Sequence, residues 1–115
     1  MSMVTVEEAR GYLRAGENVD DDQIASLLVS AEKITADVAR MSAAEWNAVC
    51  DEMTEVMTLR GTEILVAEIL QLRSLLRTAM LYALGYLYEH REEADHHDLV
   101  MTLRNLLFAV REGVF

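Results

Sequence analysis

The feature that most constrains the fold of this chain is a long stretch, from Thr62 to about Glu93, that contains no proline and only one glycine, Gly85. Proline ends helices and glycine weakens them, so this stretch permits a single helix of about thirty residues, roughly 45–50 Å long at 1.5 Å per residue. The whole chain of 115 residues has no proline and five glycines. We therefore predict one all-α domain, residues 1–115, with four to five helices that include one long central helix.

Two helices are predicted within the first forty residues. Thr5 and Glu8 have the spacing of a capping box, and Gly16 suits the left-handed residue that would end the short helix they open. Three acids, residues 20–22, stand before the second helix, where carboxylates complement the exposed N–H groups of the first turn. That second helix has a strongly periodic apolar stripe, formed by Ile24, Leu27, Leu28, Ala31, Ile34 and Val38.

Further helices are predicted in the middle and at the end of the chain. Ser42 and Glu45 have the spacing of a second capping box, and apolar residues continue at helical spacing as far as Met57. We expect a break or kink at residues 60–63, just where the long helix starts. After a polar link, a last helix is expected over about residues 98–111.

Part of the long helix is apolar on nearly every face, over residues 75–88. Such a helix is typically a central one, covered by neighbouring helices or by other subunits. Val114 and Phe115 also end the chain with two apolar residues and no predicted helix to cover them. Apolar surface that a 13.0 kDa monomer leaves uncovered is usually an interface. The alternative, that the aromatic residues complete the monomer's own core, remains equally open for Tyr82, Tyr86 and Tyr88.

The charge of the chain argues against nucleic-acid binding. Twenty acidic residues against ten basic ones give a net charge of −10, and no cluster of lysine and arginine occurs in the sequence. Affinity for nucleic acid comes mainly from cations that displace counterions from the phosphates, so a surface this acidic repels DNA. Partners other than nucleic acid are therefore expected.

Signals for catalysis or metal binding are weak. Cys50, the only cysteine, could act as a nucleophile, but a cysteine between apolar helical neighbours is more often a small core residue. Glu93 and His96 have the Glu-x-x-His spacing of di-iron helical bundles, yet no second copy of the motif occurs, and a solvated link between helices explains the same residues. We predict no enzyme activity, no cofactor and no metal, with a carboxylate–histidine metal bundle as the enzyme alternative.

The sequence also suggests a compartment. A single cysteine allows no internal disulfide, which favours a reducing environment. The first residues lack the basic start and apolar stretch of a signal peptide, and the longest charge-free run, residues 78–88, is too short to cross a bilayer. We expect a soluble cytosolic product with no membrane partner.

Several segments, taken in order, resemble a known family. The segment VTVEEARGYLR is followed by NVDDDQIASLLVSAEKI, then by AMLYALGYLYEHREEA, and the chain ends in LRNLLFAVREGVF. This order resembles the small head–tail connector (adaptor) proteins of tailed bacteriophages, which are often described as DNA-packaging proteins. Residues 87–92 match that family's leucine-tyrosine-glutamate-x-arginine-glutamate signature. The resemblance covers both ends of the chain well and is poor over residues 41–61.

The resemblance implies a structural subunit that forms a ring of about twelve copies beneath the portal of a filled capsid. Such a ring extends the DNA channel, lets DNA pass without specific binding, and docks the next head-completion or tail protein. The location implied is the head–tail interface of the virion, reached after assembly in the host cytoplasm. The C-terminal positions that match, Arg111, Val114 and Phe115, would reach toward the portal or a neighbouring subunit. We also expect Arg91 to pair with a nearby acid such as Glu89.

A different class of function also fits the charge. A small acidic helical binding protein, such as an antitoxin-like or DNA-mimicking inhibitor, would account for the net charge and for an apolar helix face that binds one partner. It would form a dimer at most, so the number of subunits in solution separates it from a connector.

Overall fold

Helices make up most of the architecture. The computed structural model describes residues 3–90 and 95–113. The described elements are α1 (Val6–Leu13), α2 (Asp21–Ala39), α3 (Ala43–Cys50), β1 (Val56–Leu59), β2 (Thr62–Leu65), α4 (Val66–Glu89), α5 (His97–Leu106) and α6 (Phe108–Arg111). The fold is mostly helical, as predicted, but it includes a small sheet and six described helices rather than four or five. The additional helix arises because the last predicted one is interrupted at Leu107.

The predicted helix starts are confirmed by their hydrogen bonds. The Thr5 hydroxyl accepts the N–H of Glu8 at 3.0 Å, and the Glu8 carboxylate accepts the N–H of Thr5 at 3.2 Å. Ser42 and Glu45 form the same reciprocal pair at the start of α3. Asp20 accepts an N–H of the first turn of α2. Caps of this kind satisfy N–H groups that a helix start leaves unpaired, and each stabilises the fold by about 1 kcal/mol.

The end of α1 differs from the prediction. The left-handed residue is Arg14, at φ 54°, and α1 ends at Leu13, before Gly16 is reached. The Arg10 guanidinium instead holds the following loop, because it donates to the carbonyl oxygens of Gly16 at 3.1 Å and Val19 at 2.6 Å. Arg14 therefore takes the left-handed role that we expected of Gly16, and the Arg10 side chain fixes the loop that follows.

The prediction that helical structure continues to Met57 is wrong. α3 ends at Cys50, and β1 and β2 pair as an antiparallel hairpin. Arg60 and Gly61 connect the two strands at φ 52° and 82°. Two consecutive left-handed residues form the tight turn whose twist matches that of a hairpin, so the expected break falls where the chain reverses direction.

The hairpin presents one face to the core and the other to solvent. Met57, Leu59 and Ile64 are buried, whereas the directly paired Val56 and Leu65 are exposed. This alternation has a period of two residues, as in any half-buried strand. Over so short a stretch it is easily mistaken for helical spacing.

The long central helix is confirmed, although it is shorter than predicted. It spans 24 residues and begins at Val66 rather than Thr62, because residues 62–65 belong to the second strand. Its last helical residue is Glu89, and the predicted end near Glu93 lies outside the described residues. None of the described helices, α4 included, is both long enough and apolar enough to span a membrane.

The core forms around α4, which contacts α1, α2, α3, α5 and both strands. One broad face of α4 is buried, and each large side chain on it contributes roughly 2 kcal/mol by leaving water. The opposite face is open, and it includes Leu70 and Tyr82. The buried residues of α4 are Ile69, Leu72, Leu76, Ala79, Met80, Ala83, Leu84 and Leu87.

Two arginines join α4 to its neighbours. Arg73 donates to the carbonyl oxygens of Val49 at 2.8 Å and Asp51 at 3.0 Å, and so satisfies acceptors that the end of α3 leaves unpaired. Arg77 forms an ion pair with Glu8 on α1. Its hydrogen bond lowers the pKa of the Glu8 carboxyl.

Glu45 joins the start of α3 to the hairpin turn through two hydrogen bonds. Its two oxygens accept the backbone N–H groups of Ser42 and Arg60, each at 2.8 Å. Burial raises the pKa of Glu45, but these hydrogen bonds outweigh it and bring the pKa below its ordinary value.

We expect Glu45→Gln to lower the free energy of unfolding by about 1 kcal/mol at neutral pH, because an amide nitrogen then faces an N–H donor.

The sign of the pH dependence follows from the lowered pKa. The contribution of the Glu45 carboxylate is complete above its unfolded pKa and is lost as the pH falls through the folded pKa. Denaturant titrations at neutral pH and at about pH 3 should therefore show a difference between wild type and Glu45→Gln that shrinks in acid. A difference that stays constant or grows would contradict this account.

Candidate interaction surfaces

The C-terminal part of α4 carries an aromatic cleft, the first candidate surface. The Tyr86 ring stacks on His90 with ring centroids 4.2 Å apart, and the His96 ring meets Tyr86 edge-on at 6.3 Å. Tyr12, on α1, lies against Gly85, where an added Cβ would stand only 3.4 Å from the Tyr12 ring. Gly85 and the Tyr12 ring are thus in close contact, which brings α1 against the C-terminal part of α4. The aromatic cleft has a volume of about 370 Å³ and is lined by Tyr12, Tyr82, Gly85, Tyr86, Glu89 and His90.

The structure brings some of the predicted interface residues together and separates others. Tyr82 and Tyr86 both line the aromatic cleft, whereas Tyr88 is partly buried and lies outside it. Tyrosines with one apolar side and one polar end are common in protein interfaces, so the aromatic cleft suits a protein partner. Three other residues that the sequence predicted at an interface, Arg91, Val114 and Phe115, lie outside the described residues.

Arg111, the other predicted interface residue, lies inside the monomer. It is 8% exposed, and its guanidinium donates to the carbonyl oxygen of Val38, in the last turn of α2, at 2.6 Å. The Arg60 guanidinium in turn donates to the backbone carbonyl of Arg111. The last helix, the end of α2 and the hairpin turn are therefore joined through two side chains, and a cation is well placed at a helix C-terminus.

Arg111 belongs to a group of cations that the sequence does not reveal. Burial lowers the pKa of Arg111, and the nearby guanidinium groups of Arg40, Arg104 and Arg60 lower it further, while Glu112 acts in the opposite direction. These four arginines come from α2, the hairpin turn, α5 and α6. We call them the basic corner, and it stands out on a chain whose net charge is −10.

An apolar groove runs along one side of α2 and forms the second candidate surface, here called the α2 groove. Near the start of α2 its wall is the N-terminal segment, with Val4 and Val6, and the volume there is about 430 Å³. Near the end of α2 its wall is α3, with Trp46, and the volume is about 370 Å³. Val29 and Glu32 line both halves, so the two lie next to each other along α2. Val29 is 69% exposed, so part of the apolar lining is open to a partner.

The middle of the α2 groove holds the carboxylate of Glu32. This residue is partly buried between a mostly apolar half and a half of mixed polarity, and no hydrogen bond or ion pair with another described residue reaches it. The only lysine of the chain, Lys33, is next to it but pairs with Asp37 at 2.9 Å. A carboxylate in an apolar setting attracts a cation more strongly than one in open water does. The α2 groove therefore suits an apolar surface that carries one positive charge.

The structure places most of the residues that the sequence singled out as possible nucleophile or metal ligands. Cys50 is buried, as the core interpretation predicted, and burial together with the nearby Glu32 carboxylate raises the pKa of its thiol. A raised pKa keeps the thiol protonated and a poor nucleophile. Within residues 3–90 and 95–113, no three histidine, cysteine, aspartate or glutamate side chains are grouped as metal ligands. Glu93 of the Glu-x-x-His motif lies outside those ranges, and His96 lies beside Tyr86.

Comparison with known proteins yields no relative. No family model, no curated protein and no solved structure matches the chain. The function therefore has to be argued from the surfaces themselves.

Proposed function

We propose that this chain is a structural head–tail connector of a tailed bacteriophage, which assembles as a ring beneath the portal, extends the DNA channel and docks the next head-completion or tail protein. The proposal joins the resemblance of the chain's segments to this family with the properties of the described surface. The role requires no catalysis, and Cys50, protonated and buried, is consistent with that.

The observation that carries the proposal is the pair of separate candidate interaction surfaces on one small subunit, one aromatic and one with an exposed apolar lining. The aromatic cleft lies on α4 and α1, whereas the α2 groove lies on α2, α3 and the N-terminal segment. A subunit of a ring needs different surfaces for its two neighbours and a further one for the proteins above or below it. A small inhibitor that binds one target needs only one.

The charge distribution supports the same role. Three of the described cations are used in internal ion pairs, Arg10 with Asp21, Lys33 with Asp37, and Arg77 with Glu8. Most of the acids have no such partner, so the outer surface keeps a large negative excess. An acidic wall repels phosphates and lets DNA slide past without being held.

The native mass of the purified protein tests the proposal directly. Light scattering or native mass spectrometry over a range of concentrations should reveal a closed species of about twelve subunits. A monomer or a dimer at every concentration would contradict the connector proposal and favour the acidic binding protein, which is the alternative in a different class. Measurement at two salt concentrations is the control, since repulsion between acidic subunits is screened by salt and assembly should improve with it.

A further inference from the structure

The outer side of the last two helices presents a pattern that complements the α2 groove. Met101 and Arg104 lie on α5, and Phe108 begins α6 at spacings of three and four residues. Across the junction the N–H of Leu107 still donates to the Leu103 carbonyl, and the N–H of Arg111 donates to the Leu107 carbonyl, so the three residues fall on one side of the two helices. Met101 is 42% exposed and Phe108 is 58% exposed. Arg104 is also exposed, and no ion pair joins it to another described residue. We call this stripe the α5–α6 face.

The same spacing occurs in the α2 groove with the opposite charge. Val29, Glu32 and Ala36 are likewise three and four residues apart, and all three line the groove. Each surface is thus apolar, charged and apolar in the same order, with a carboxylate on one and a guanidinium on the other. When the two helices run in the same direction, the large Phe108 faces the small Ala36.

We propose that the α5–α6 face of one copy of this chain docks into the α2 groove of a second copy, with Arg104 pairing with Glu32 and Phe108 entering the half of the groove next to Trp46. This inference rests on the proposed function, since it assigns the contact between neighbouring ring subunits. The contact also supplies what each surface lacks among the described residues of one copy. The Glu32 carboxylate gains a cation, and the exposed Phe108 ring is buried.

The two docking surfaces have no residue in common, which has a geometric consequence. A contact between different patches on identical subunits is head-to-tail, so each copy keeps one patch of each kind free for the next copy. Such a contact closes into a ring when the rotation per subunit allows it. A contact between identical patches would stop at a dimer. The second copy is favoured over an unrelated partner because it carries matching spacing, matching polarity and opposite charge on its own surface.

A charge exchange tests the contact. Glu32→Arg and Arg104→Glu should each raise the protein concentration needed for half-maximal assembly by about tenfold or more, because each places like charges in the contact. The double variant Glu32→Arg/Arg104→Glu should restore assembly to nearly that of wild type, since the pair is then reversed. Glu63→Arg is the matched control, because it makes the same change of charge as Glu32→Arg at an exposed hairpin residue that lines neither half of the α2 groove and is not part of the α5–α6 face.

Three further variants test whether the fold is kept and in which direction the two helices run. Val29→Asp alters a mostly exposed residue, so the fold should survive, as circular dichroism would verify, while assembly should be lost. Under oxidation, Val29→Cys/Met101→Cys should form disulfides between copies more readily than Val29→Cys/Phe108→Cys, because the helices run in the same direction.

The outcomes separate the two proposals. Assembly that persists in Val29→Asp and in both single charge variants would overturn the docking proposal and leave the ring intact as a function. A single-variant defect that the double variant does not rescue would also overturn the pairing of Arg104 with Glu32. A wild-type chain that stays monomeric would overturn both proposals.

Discussion

Leu76→Ala should lower the free energy of unfolding by about 3 kcal/mol, the largest single loss expected among the substitutions considered for this chain. Leu76 is fully buried on the core face of α4, the helix that contacts most of the other described elements. Removing three carbons there leaves a cavity that the surrounding elements cannot fill without moving. Denaturant titration followed by far-ultraviolet circular dichroism measures the loss.

Leu70→Ala is the matched control for this prediction. It makes the same chemical change on the same helix, but Leu70 is 53% exposed, so the loss should stay below about 1 kcal/mol. Similar losses at both positions would mean that α4 is rotated relative to the core described above. The comparison therefore tests which face of the central helix is covered.

Arg111→Ala should cost about 2 kcal/mol, the second-largest expected effect. The substitution removes the donor that the Val38 carbonyl uses at the end of α2 and leaves an empty volume where a nearly buried side chain lay. Arg111→Met should recover part of the loss, because it fills the volume without restoring the hydrogen bond. Thermal and chemical unfolding of the three proteins at low concentration would separate packing from hydrogen bonding.

Arg104→Ala provides the comparison, since Arg104 belongs to the same basic corner but is exposed. Its removal should change the stability of the monomer by less than about 0.5 kcal/mol. A gain in stability on removal of Arg104 would show that repulsion among the four arginines is large in this region. A loss as large as that at Arg111 would contradict the view that the contact with Val38 sets Arg111 apart.

Features that depend on neighbouring residues in the sequence were predictable. A capping box is a contact between residues three apart, so Thr5 with Glu8 and Ser42 with Glu45 could be identified without knowing the fold. The hairpin was missed because its turn depends on a non-glycine residue, Arg60, adopting a left-handed conformation. Arginine has no preference for that conformation, so the sequence indicated only a break or kink in helical structure at residues 60–63.

Of the two candidate surfaces, the sequence indicated the aromatic cleft but not the α2 groove. Tyr82 and Tyr86 were predicted because they lie on one helix whose apolar character is evident in the sequence. The α2 groove was not, because its walls come from the N-terminal segment and α3, which approach α2 only in the folded chain. The apolar Val29, outside the predicted stripe of α2, was the one available signal. The burial of Arg111 was likewise hidden, since it depends on α6 meeting the end of α2.

The position of Trp46 gives this protein an intrinsic optical probe. It is the only tryptophan of the chain, it is 5% exposed, and it lines the α2 groove where the core meets the open surface. Any molecule that enters that half of the groove changes the surroundings of a single indole ring. The emission spectrum of the unlabelled protein can therefore follow occupancy of the groove in real time, with no fluorophore attached and no residue replaced.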